Sequence, residues 1–109
     1  MNSELAEDNE RILAQVEGWG GGYVWEPELF AVTLIDVPIS DVEAVSLSRL
    51  TGVQQIALNA SQLSLPTLQM ITAIPGLRSL VLSKILLSQE QLLLLESCGP
   101  RVEVVNNEA

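Results

Sequence analysis

The sequence predicts an α/β domain in which a parallel sheet is backed by helices on one side only. Two observations lead there. When the chain is laid over itself at one fixed offset its apolar positions superpose: Val32 and Leu34 fall on Ile56 and Leu58, and these on Leu80 and Leu82. Within each unit the apolar residues also step regularly, by 3, 3, 3 and 2 through Leu47, Leu50, Val53, Ile56 and Leu58, and again through Ile71, Ile74, Leu77, Leu80 and Leu82. Steps of three belong to one face of a helix and its exit turn, and a step of two belongs to a strand. Each unit therefore reads as helix, turn, strand, and a unit that cannot bury its own apolar face must stack on its neighbours.

The elements follow in order. Leu5, Ile12, Leu13 and Val16 recur at helical spacing among acids, which predicts an amphipathic helix over residues 4 to 17, laid across the first unit as a cap. Gly18 to Gly22 form a turn, and Tyr23-Val24-Trp25 a short fifth strand. Strands are expected at 31–35, 54–58, 78–82 and 102–105, and helices near 41–50, 65–74 and 89–97. Ile39, Leu63 and Leu87 align, each followed by a serine at the head of a helix. Ser40 to Glu43 and Ser88 to Gln91 have capping-box spacing, and Pro66 lies in a first helical turn, where its missing N–H costs little. Gly52 and Gly76 align with Pro100. A partial last unit starts at Arg101 with Val104 in the place of Leu80. Roughly 18 to 20 residues separate successive strands, enough for a parallel crossover. A doubly wound domain with helices on both faces is the competing arrangement; equal unit lengths and a common register favour the one-sided stack.

Leu77-x-x-Leu80-x-Leu82, and Val53-x-x-Ile56-x-Leu58 one unit earlier, resemble the leucine-rich repeat. The resemblance covers about residues 29 to 105. It implies a small solenoid of about three 24-residue repeats and a protein-binding role. The Asn or Cys usual after the family's strand is Ser61 in one unit and Ile85 in the next, so the buried Asn ladder of typical members is weakened here. An acidic helix and a Gly-Gly turn ahead of the first strand also resemble short bacterial members. The domain layout is then an acidic cap and Gly-rich turn over 1–29, a solenoid over 30–105 and a polar tail over 106–109.

Composition limits the chemistry. The chain has 109 residues, 14 Asp+Glu against 5 Lys+Arg, a formal charge of −9, no His and one Cys. Without His there is no imidazole base or His-ligated metal, and one Cys supports neither a disulfide framework nor a multi-cysteine metal site. The expectation is a non-catalytic chain with no cofactor and no metal. The acidity argues against nucleic acid and anionic membrane as partners. Residues 1 to 29 hold seven acids and one base (net −6), and residues 30 to 109 seven acids and four bases (net −3), so the charge gathers in the cap. No apolar run approaches the ~18 residues of a membrane span, and the first residues lack the pattern of a secretion signal, so a cytoplasmic protein is expected.

Several features could carry function. Glycines 18 to 22 are followed by Tyr23-Val24-Trp25-Glu26, without the Lys and Ser/Thr of a phosphate loop, and read as a turn. Trp19, Tyr23 and Trp25 either plug the open end of the stack or anchor a partner. Cys98, aligned with Leu50 and Ile74, reads as inert core filler. The closest carboxylate pairs, Glu26/Glu28 and Asp41/Glu43, read as solvated surface acids, and the sequon Asn59-Ala60-Ser61 as chance. Alternation along the strands places Ala31, Thr33 and Ile35, then Gln55, Ala57 and Asn59, then Ser79, Val81 and Ser83, then Glu103 and Val105, on the sheet face turned away from the helices. This neutral strip of small side chains is the expected binding surface for another protein, with the acidic cap steering a basic partner. Leu93 and Leu94 are apolar where the repeat alignment points outward, and Leu86 is an extra apolar residue; either a wider helix face is buried against the last turn, or these leucines form a homodimer or partner contact. A narrower expectation from charge and size is an immunity or antitoxin protein that neutralises a toxin by binding it. An enzyme or cofactor binder built on the glycine turn and carboxylates is a third alternative.

Overall fold

A computed structural model describes the backbone of residues 3–105 and the side chains from Glu7 to Val105. The predicted polar tail over 106–109 and the side chain of Leu5 lie outside the described residues. The chain is an α/β unit with four helices and one five-stranded sheet: α1 (Ser3–Gly18), β1 (Gly22–Trp25), β2 (Phe30–Pro38), α2 (Asp41–Leu47), β3 (Gln55–Asn59), α3 (Leu65–Thr72), β4 (Ser79–Ser83), α4 (Gln89–Glu96) and β5 (Arg101–Val105). The strands lie in sequence order, β1-β2-β3-β4-β5. The sheet is not wholly parallel. β2 to β5 are, but β1 runs antiparallel to β2, because the chain reverses directly from Trp25 to Phe30 without the crossover that parallel pairing needs.

Register explains which side of each strand is buried. Leu34, Leu58, Leu82 and Val104 stand side by side, as do Val32, Ile56, Leu80 and Val102. Of these eight, all but the half-buried Val104 are fully or almost fully buried, in one core shared with Leu68, Ile71 and Leu95 of the helices and with Ile12, Leu13 and Val16 of α1. Residues between them on the strands stay at least partly exposed over most of the sheet, so a single face carries the core.

The offset between β3 and β4 is the same at every pair and equals that between β2 and β3 from Ala31 to Leu34. Between β4 and β5 it is shorter by two: Ser79 pairs with Arg101 and Leu80 with Val102. Val102, not Val104, therefore takes the place of Leu80. The shortening comes out of the turn after α4. There Gly99 (φ +125°), rather than Pro100, supplies the left-handed conformation that Gly52 (φ +85°) and Gly76 (φ +84°) supply earlier, and Pro100 is buried. Cys98 loses its expected inward position through the same shortening and is exposed.

Local chemistry holds the helices in place. Ser40 and Ser88 form the predicted capping boxes: each hydroxyl accepts the backbone N–H of Glu43 or Gln91, whose own side chain accepts from the serine N–H. Ser64 does not cap α3 with its side chain; its hydroxyl meets Thr67 Oγ1 at 3.2 Å, and its N–H donates to Asp41 Oδ1 at 2.9 Å. α1 is tied down by buried Asn9, whose amide donates to the Thr51 carbonyl at 3.0 Å and accepts the Thr51 N–H at 2.9 Å. This pair joins residues 42 apart in sequence and fixes the cap against the turn between α2 and β3.

Candidate functional site

The open face of the sheet carries a shallow groove of about 290 Å³, bounded by Tyr23 and Val24 of β1, Ala31 to Thr33 of β2, Gln55 to Ala57 of β3, and Ser79 and Val81 of β4. Its floor follows from the pleat: Ala31, Gln55 and Ser79 stand in one cross-strand row, and Thr33, Ala57 and Val81 in the next. Alanines in neighbouring rows leave a hollow between the longer Gln55, Val81 and Thr33. Arg101 pairs with Ser79 and Glu103 with Val81, so one cation and one anion end the two rows on β5; both are exposed.

The predicted strip is shorter than the strand alternation implies. Asn59 and Ser83 are buried, at 8% and 2% exposure. The cause is β2, which runs on past Leu34 and shifts register so that Pro38 stands opposite Asn59. The Ile35 carbonyl then accepts the Ser83 hydroxyl at 3.1 Å, and Asn59 Oδ1 accepts the Ser61 N–H at 3.1 Å. The β2 extension thus lies over the ends of β3 and β4. Ser83 becomes a structural group that holds it, buried Asn59 closes a local turn onto Ser61, and half-buried Ile35 lies at the start of the extension. Of the predicted strip, Ala31, Thr33, Gln55, Ala57, Ser79 and Val81 remain together in the groove.

The aromatic rings are not part of the groove floor, although Tyr23 borders the groove at its β1 edge. Tyr23 pairs with Val32 and Trp25 with Phe30, and directly paired antiparallel residues share a face, so both rings stand on the helix side of β1. Trp25 stacks on Phe30 with centroids 5.5 Å apart and planes at 23°. Trp19 packs half-buried against the core. Val24, opposite Ala31, is the β1 residue that joins the strip. Sequence reading missed it because a single short strand does not reveal which face each residue takes.

The other candidates resolve into structural roles. Gly20 (φ +99°) turns the chain out of α1, and Gly21 lies where a Cβ would come within 2.7 Å of the Thr33 carbonyl. A small depression beside them is lined by Asp36 and by no cationic side chain. Asp41 and Glu43 each accept hydrogen bonds from a backbone N–H, of Ser64 and Ser40 respectively. Hydrogen bonds from the Ser64 N–H and the Thr67 hydroxyl hold the Asp41 carboxyl below its usual value of 3.8. Because the folded value is depressed, the stability this contact adds is full above about pH 4 and is lost as the pH falls through the lowered value. Asp41→Asn keeps the acceptor oxygen and removes the charge. It is expected to lower the urea midpoint at pH 7, with the gap to wild type closing as the pH is taken below 3.8.

Among the described residues no group of three or more His, Cys, Asp or Glu is placed to hold a metal ion, and no helix is long and apolar enough to cross a membrane. No protein-family model, curated protein or solved structure matches the chain.

Proposed function

We propose that the chain is a small repeat solenoid of the leucine-rich-repeat type, acting without catalysis as a cytoplasmic module that binds another protein through the open face of its sheet. The observation that carries this reading is the groove over β1 to β4. At about 290 Å³ it lies just below the ~300–1,000 Å³ of small-molecule sites, a volume suited to one large apolar side chain of a partner. Small residues in the floor let that side chain come close to the backbone, while Thr33, Gln55 and Ser79 offer hydrogen-bonding groups beside it. The excess acid over positions 1–29 favours a basic partner through long-range steering. An immunity role against a basic toxin is the narrower form of the same reading, supported by that charge alone.

The test places a charge in the groove. Gln55→Arg and Val81→Arg are each expected to reduce recovery of a co-purifying partner by about 100-fold, since an unpaired charge is buried at the contact. The melting temperature should hold, because both positions are solvent-accessible in the free chain. Ala14→Arg, exposed on α1, should leave recovery unchanged. If both groove variants retain every partner, the sheet face is not the binding surface.

A further inference from the structure

The outward surface of the helix layer is apolar in a way the core does not require. α3, Leu-Pro-Thr-Leu-Gln-Met-Ile-Thr, carries no charged residue, and Met70 on its solvent side is 43% exposed. On α4, which packs beside α3, Leu93 and Leu94 are 59% and 45% exposed. Leu94 falls on Met70 in the repeat alignment and occupies the matching helical position, so the two stand side by side across the helix pair. Leu86, just ahead of the Ser88 cap, is 87% exposed. A solvated helix normally turns charge outward; here the charges of α4, Glu90 and Glu96, sit at its two ends.

We propose that this face is the two-fold contact between two copies of the chain. Three considerations select a second copy as the occupant. The first is area: Leu86, Leu93, Leu94 and Met70 expose on the order of 400 Å² of apolar side chain, about half of the ~800 Å² per partner of a standard interface, before their neighbours are counted. The second is composition, since aliphatic side chains bordered on α4 by Glu90, one turn before Leu93 and Leu94, and by Glu96 after them match the apolar centre and polar rim of a homodimer interface. The third is charge placement. Net −6 of the −9 belongs to residues 1–29, whose α1 and β1 lie at the opposite end of the element order from α4 and β5. A symmetric contact through α3 and α4 holds the two acidic ends apart, whereas a contact through the cap would press them together. The groove on the other side of the sheet stays open in such a dimer.

Sedimentation velocity from low to high micromolar concentration tests this on the full chain. Wild type is expected at the mass of two chains. Leu93→Lys/Leu94→Lys is expected at the mass of one chain over the same range, a weakening of at least about 100-fold, with its circular dichroism spectrum unchanged. Leu86→Lys, at a position exposed enough that folding cannot depend on it, should weaken association by at least about tenfold. A single-chain mass for wild type overturns the proposal. So does a two-chain mass that survives the double lysine variant, and so does a mass that grows without limit, which needs an open rather than a closed contact.

Discussion

Leu58→Ala is expected to destabilise the chain by about 3–4 kcal/mol and to lower its melting temperature by roughly 15 °C. Leu58 is fully buried on β3, the middle strand of the sheet, between Leu34 and Leu82 at the same height. Truncation removes three carbons from a site whose backbone is pinned by hydrogen-bonded strands on both sides. The walls cannot close on the void, and a cavity term adds to the lost burial. Val104 stands in the same row but on the edge strand β5 and is only half-buried, so Val104→Ala should cost about 1 kcal/mol. Chemical denaturation of the two variants reads the contrast. Equal losses at both positions would mean that the row is not one continuous core.

Gly21→Ala should cost about 2–3 kcal/mol, the scale of forced overpacking, although it adds a single methyl group. The glycine is needed for proximity rather than for an unusual backbone angle. An added Cβ would sit 2.7 Å from the Thr33 carbonyl and collide with the Leu34 side chain, and neither can move without disturbing β2. β1 would have to lift away from β2, loosening the strand that carries Val24 into the groove and Trp25 onto Phe30. Gly22 is the internal control. A Cβ there meets Thr33 Cγ2 at 3.8 Å, an ordinary contact, so Gly22→Ala should stay within about 0.5 kcal/mol of wild type. Thermal melts of the pair separate close approach from the general cost of replacing glycine in a strand.

Much of the fold was legible in the sequence because apolar spacing and burial are the same information seen twice. The steps through Ile71, Ile74, Leu77, Leu80 and Leu82 name five buried positions, and the serines ahead of α2 and α4 name two caps. Three things escaped it. The last unit is shorter, and spacing counts residues without showing whether Gly99 or Pro100 makes the turn; the misplacement of Val104 and Cys98 follows from that one ambiguity. Asn59 and Ser83 alternate correctly for the open face, yet a register shift in a different strand covers them, and alternation along one strand carries no signal of its neighbours. Asn9 looks like one more polar residue on an acidic helix; its partner is the distant backbone of Thr51, which no local pattern encodes. In the candidate site the small residues of the groove floor were readable as alternating strand positions. The side of the sheet taken by Tyr23 and Trp25 was not, because it depends on the direction in which β1 pairs.

All four aromatic residues, Trp19, Tyr23, Trp25 and Phe30, fall within the turn and the first two strands. Three strands and all four helices therefore contribute nothing to ultraviolet fluorescence. Tryptophan emission reports the docking of α1 and β1, while far-ultraviolet circular dichroism reports the whole chain. In a denaturant titration the two signals coincide only if the acidic end and the rest unfold as one cooperative unit. A separation between them would measure, with no label added, how much of the domain's stability resides in its acidic end.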